Sequence, residues 1–186
     1  MLDEQELVKK ILKGDTKAFE ILVHQYEKLV LHVTSRVIKK EEEVLDVCQE
    51  VFMKVHLGLH RFNFQSKLST WIAKIAYLTS LNHIRRYHTE NQQRVIRDDL
   101  QLDQHYFSEE TPEHLLISKD MSAYVQHLIS QMPLAYRTVL TLYHLDEFSY
   151  QEIQEITGMP EGTIKNYLFR ARMLLKKKVE LYLQNE

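Results

Sequence analysis

FSYQEIQEITGMPEGTIKNYLFRARMLLKKK, residues 148–178, reads as two helices joined by a tight turn. Ser149 is a hydroxyl N-cap and Glu152 follows three residues on, the spacing of a capping box. Gly158 comes after the last apolar residue of the first helix and suits a left-handed stop. Pro160 fits the first turn of the next helix, where its missing N–H removes no bond. At about 100° per residue, Ile164, Leu168, Ala171 and Leu175 form one stripe of that second helix. Lys165, Asn166, Phe169, Arg170, Arg172 and Lys176 point away from it. A short helix, a glycine turn and a helix with a basic outer face predict a helix-turn-helix, whose second helix can enter the DNA major groove. The same spacing also suits an ordinary helical hairpin with a solvated basic face.

Outside this stretch the chain is helical as well. It has 186 residues, room for one domain or two small ones. Hydrophobic residues are 44% of it, which excludes wholesale disorder. Gly and Pro are scarce while Leu, Lys, Glu and Gln abound, as in all-α chains. Cys48 stands alone, so an internal disulfide is excluded and a reducing compartment is compatible. The N-terminus lacks a basic-then-apolar leader pattern, and no apolar run approaches the roughly 18 residues of a membrane span. The expectation is a cytoplasmic protein without direct membrane insertion.

Net charge is −2, so the total does not mark a nucleic-acid binder, but its distribution does. Residues 159–178 carry six cations against Glu161, and residues 65–97 carry six against Glu90. Between them, residues 98–113 hold six acids and no Lys or Arg. Two basic segments parted by an acidic one predict two nucleic-acid contacts on one chain.

In chain order, Asp3 with Glu6 offers a capping box for a first helix that Gly14 ends. Asp15 or Thr16 caps a second, whose Phe19, Leu22, Val23, Tyr26, Leu29, Val30, Val33 and Val37 keep steps of three and four. A third spans Glu41 to His60. Val44, Val47, Cys48, Val51, Phe52, Val55 and Leu59 form its apolar face, and Asp46, Gln49, Glu50 and Lys54 its polar one. Cys48 reads as a buried small hydrophobe. A fourth helix, Ser69 to Tyr87, mixes aromatics with Lys74, Arg85 and Arg86. Such a surface can hold unstacked bases, although Trp71 and Tyr77 equally suit a core. Residues 91–110 read as an acidic linker. Thr111-Pro112-Glu113 then starts a helix carrying Leu115, Leu116, Tyr124, Val125, Leu128 and Ile129, and Pro133 opens the next. The domain reading is therefore 1–90, linker 91–110, and 111–186.

Two separated segments together resemble one family. DVCQEVFMKVH (residues 46–56), STWIAKIA (69–76) and LNHIRR (81–86) look like the second conserved region of bacterial sigma factors. The helix-turn-helix looks like their fourth region. The short chain and direct connection resemble the extracytoplasmic function (ECF) group. The resemblance implies a non-enzymatic initiation factor without cofactor, metal or catalytic residues. Its partners would be bacterial core RNA polymerase, promoter DNA and an anti-sigma factor. It implies polymerase docking through Asp46, Gln49, Glu50, Phe52 and Lys54. Minus-ten recognition and melting would fall to Lys67, Ser69, Thr70, Trp71, Lys74, Tyr77, Asn82, Arg85 and Arg86. Minus-thirty-five reading would fall to Thr163, Lys165, Asn166, Phe169, Arg170, Arg172 and Lys176. The chain departs from the family at Leu78 and Asn82, where Asn and Asp are frequent. It departs again at Asn166-Tyr167, where Ser-Arg is frequent, so a promoter sequence does not transfer.

Two rivals exist. A helix-turn-helix regulator that binds its operator alone leaves residues 46–56 and 69–76 unexplained. A metal enzyme built on His56 and His60 lacks the Glu of the hydrolase pattern, a Cys cluster and a third ligand.

Overall fold

The computed structural model describes residues 3–87 and 121–184, all-helical apart from turns. The linker 91–110, the helix start at Thr111-Pro112-Glu113, and Leu115 and Leu116 lie outside them. Helices α1 (Glu4–Leu12), α2 (Thr16–Val37), α3 (Glu41–Gly58) and α4 (Leu68–Tyr87) form a first unit. Helices α5 (Met121–Gln131), α6 (Leu134–His144), α7 (Tyr150–Thr157) and α8 (Glu161–Gln184) form a second. The third helix stops earlier than its apolar period suggests. It ends at Gly58 and tightens into one 3-10 turn, Leu59–Arg61.

Local chemistry explains most boundaries. The Asp15 carboxylate accepts from the Ala18 N–H at 3.1 Å and caps α2. Ser149 and Glu152 form the full reciprocal box on α7. Gly158 closes that helix at φ +76°, which a side chain resists. Gly158→Ala is expected to lower stability by about 1 kcal/mol, read as a fall in thermal midpoint. Two cap expectations need correction. Asp3 precedes α1 but makes no side-chain cap, and Glu6 pairs with Lys10 at 3.3 Å instead. Pro160 sits just before α8, where its carbonyl accepts from Ile164 N–H at 3.0 Å.

In the first unit, Leu22, Val30 and Val33 of α2 and Val47, Val51 and Val55 of α3 are buried in the same core as Leu68, Ile72 and Ala76 of α4. The second closes Ile153 and Ile156 of α7 and Ile164, Leu168 and Ala171 of α8 over α6. Helix α6 is buried along nearly its whole length.

The units also pack on each other, α2 against α6 and α4 against α7. Arg137, 6% exposed, sends its guanidinium from α6 to the carbonyl of Arg36 on α2 and to that of Met132 at 3.1 Å. Asp146, just past α6, meets His32 Nδ1 at 3.0 Å. Arg36 donates to Gln126 at 2.8 Å.

Candidate nucleic-acid interface

The recognition helix, α8, sorts its residues as its period requires. Ile164, Leu168 and Ala171 face inward, and Tyr167 tucks its ring 5.1 Å from that of Tyr136. The opposite arc holds Lys165, Asn166, Phe169, Arg172 and Lys176, all exposed, with Arg170 half-buried at its edge. Thr163 is half-buried on the same flank as Arg170.

Several of these groups are held in place. Lys165 pairs with Glu161 at 2.6 Å and lies 5.3 Å over the Tyr150 ring. Its pKa is raised by the hydrogen bond and charge of Glu161, against slight desolvation. Asn166 Oδ1 accepts from Arg170 Nε at 3.1 Å, fixing a guanidinium one turn along the helix. Arg172 donates to His144 at 3.1 Å and lies 5.3 Å from the Tyr143 ring centre. Burial, then the neighbouring Arg172, lower the His144 pKa and favour its neutral form, which can accept that bond. Lys176 only approaches Glu180, at 3.7 Å. At its centre Phe169 is 64% and Met173 53% exposed, an apolar knob framed by cations. That combination suits a groove presenting phosphates at its edges and thymine methyls on its floor.

Helix α4 has three faces. Leu68, Ile72, Ala76 and Thr79 belong to the first unit's interior, where Lys54 Nζ donates to Thr79 Oγ1 at 3.2 Å. Trp71, Lys74, Leu78, Asn82 and Arg85 share an arc spanning about 80°, by the helical period. Leu78, Asn82 and Arg85 are exposed there, and Arg86 is exposed nearby. Trp71 forms the base of this arc, half-buried on Phe62 at 5.3 Å, with its ring 3.4 Å from where a side-chain Cβ on Gly58 would stand. Ser69 is half-buried at the helix start.

The third face corrects two expectations. Thr70 and Tyr77 are buried and do not lie on an open strand-binding surface, and α7 packs on α4 at Thr70. Thr70 is fully buried and donates to Glu152 Oε1 at 3.4 Å. Tyr77, two turns on and within about 20° of Thr70 around the helix, is 3% exposed. Burial pushes its phenol up to about 12, against the nearby Arg85 charge. Lys67, 72% exposed, reaches the same carboxylate at 3.0 Å. Burial opposes ionisation of Glu152, but the Ser149 N–H and hydroxyl and the Lys67 ammonium outweigh it, and its pKa falls to about 2.

On α3, Asp46 and Gln49 are exposed, while Glu50 and Lys54 pair at 2.7 Å and Phe52 is half-buried against the core. Sequence reading missed this helix's main feature. Leu45 is 63%, Met53 64% and Leu57 69% exposed, at four-residue spacing through Gln49. Their offset from the Val44–Val47–Val51–Val55 stripe was the available signal. Half-buried Cys48 has its thiol pKa raised by burial, opposed by Thr34, as for an inert packing group. His56 lies edge-on to the Phe19 ring at 4.8 Å and His60 accepts from Arg61 at 3.2 Å. No cluster of three metal-binding side chains occurs among the described residues. None of the described helices is long and apolar enough to cross a membrane.

Sigma-70 region 2 matches residues 22–89, and sigma-70 region 4 matches 122–175. The ECF RNA polymerase sigma-E factor of Haemophilus influenzae is 31% identical over 96% of both chains. The RNA polymerase sigma-H factor of Pseudomonas aeruginosa is 32% identical over 95% of this chain and 94% of its own. Among solved structures, CnrH in complex with the cytosolic domain of CnrY superposes with a TM-score of 0.64 at 17% identity, covering 94% of this chain and 96% of that one. RpoE in complex with the anti-sigma factor NepR from Bartonella quintana gives 0.66 at 18%, covering 88% and 98%. The chain belongs to the ECF sigma factors, which direct RNA polymerase to promoters and are not enzymes.

Proposed function

We propose a division of labour among three faces of this ECF sigma factor. The outer arc of α8 reads the minus-thirty-five element as duplex. Asn166 and Arg170 meet base edges, Phe169 meets methyl groups, and Lys165, Arg172 and Lys176 meet phosphates. The Trp71–Arg85 arc of α4, with Lys67, Ser69, Lys74 and Arg86, holds the melted minus-ten strand. The outer face of α3, including Asp46, Gln49, Glu50, Phe52 and Lys54, docks on core polymerase. Residues 1–90 and 111–186 act as separate modules across the 91–110 linker. The protein works in the cytoplasm, where its polymerase and promoter are. The likeness to RpoE of Bartonella quintana, a sigma factor solved in complex with the anti-sigma factor NepR, makes an anti-sigma factor the expected regulator.

The observation that carries this reading is the exposed α8 arc, where cations surround an outward Phe169. Run-off transcription on genomic DNA with added core polymerase tests it. Discrete start sites are expected only when both are present, and specific operator binding by the free chain alone would favour a stand-alone regulator. In the same assay Arg170→Ala should weaken promoter use by about 1–3 kcal/mol and relax one minus-thirty-five position. An unaltered sequence preference would remove Arg170 from the reading set.

A further inference from the structure

The capping box of α7 does two jobs at once. Glu152 closes its own helix by accepting from the Ser149 N–H and hydroxyl, both at 2.8 Å. Its other oxygen takes Lys67 at 3.0 Å and Thr70 at 3.4 Å. These two partners flank the N-terminus of the 20-residue α4, where peptide dipoles favour an anion. The carboxylate therefore stands where a strand phosphate would meet the same ammonium, hydroxyl and helix end.

We propose that the free chain is self-closed, with Glu152 acting as a stand-in for a strand phosphate, so that α7 covers the Lys67–Thr70 end of α4, beside the strand-holding arc, until the units part. The occupant of the covered end is the chain's own helix-turn-helix. This rests on the functional reading above for α4. A second seam supports it independently. Where α2 meets α6, Asp146 Oδ2, Arg36 Nε and the hydroxyl of Thr141, one turn beyond Arg137, are buried with no hydrogen-bond partner among the described residues. Such groups recover water when the units part, which lowers the barrier to opening. Apolar burial continuous across both units holds the closed form together. Opening thus bares the Lys67–Thr70 end of α4, beside the Trp71–Arg85 arc, and frees the recognition helix's unit in one movement.

Glu152→Gln isolates the latch, because Gln can serve a capping box equally well while losing the charge that Lys67 answers. Glu155→Gln, at an exposed position on the same helix, makes the same change in net charge and is the control. Dyes attached at Lys17→Cys and Lys177→Cys in a Cys48→Ala chain report the separation of the units by energy transfer, without DNA or polymerase. Glu152→Gln should raise the open-to-closed ratio about three- to tenfold, and Glu155→Gln should leave it near that of the parent. Binding of a labelled single-stranded oligothymidylate by the free chain should rise in parallel. Should Glu152→Gln lose helicity, salt raised from 0.1 to 1 M on the parent chain decides instead, since it screens the Lys67 pair. A separation unmoved by both charge removal and salt, or a parent chain already open, would overturn the latch. Run-off transcription, which tests the functional reading, can succeed or fail independently.

Discussion

Replacing Met53 and Leu57 together by aspartate should reduce affinity for core polymerase more than about a hundredfold while leaving helical content intact. Both side chains are about two-thirds exposed, so the free chain loses no core packing. Fully covering an apolar side chain of this size is worth roughly 1.5–3 kcal/mol, and a buried unpaired charge reverses the sign. Two such losses amount to at least two decades in Kd at about 1.4 kcal/mol per decade. Gln49→Ala, a polar truncation among them, should have a smaller effect. The measurement is competition for core polymerase against a labelled parent chain. Unchanged affinity of the double variant would move the docking surface away from α3.

The second large effect belongs to Tyr77. Tyr77→Ala should destabilise the chain by about 3–5 kcal/mol, as aromatic-to-alanine changes in a core do. Tyr77→Phe, which keeps the ring, should stay within about 1 kcal/mol of the parent. Denaturant unfolding monitored by circular dichroism separates the two. A Tyr77→Ala chain as stable as the parent would mean that the ring is solvated in solution and available to bases. Permanganate probing of melted thymines then has a clear reading. A defect shared by Tyr77→Phe and Tyr77→Ala concerns the hydroxyl, and one confined to Tyr77→Ala concerns the ring.

What the sequence made legible was local. The Ser149–Glu152 box, the Gly158 stop, the Asp15 cap and the inward stripe of α8 are set by residues within one or two turns of each other. The two-unit all-helical plan followed from them. What escaped was non-local. Helix α3 has apolar residues on most of its circumference, and only the offset of Leu45, Met53 and Leu57 from the valine stripe marks the uncovered face. Hence Leu45, Met53 and Leu57 were assigned to neither face. Tyr77 could be core or platform on its own helix, and the helices that pack around α4 decide the matter. The second partner of Glu152 is equally distant, 85 positions back at Lys67. Asp3 shows the converse failure. Its cap spacing is correct, yet Glu4 is drawn to the Tyr26 hydroxyl at 2.9 Å and the Asp3 side chain is unused.

The bare ridge on α3 has a chemical consequence while the chain is alone. A thioether as open as that of Met53 is within reach of peroxide, and its sulfoxide is a polar, chiral group. Oxidant would thus blunt the greasy knob before any partner arrived, whereas a chain already seated would have that sulfur shielded.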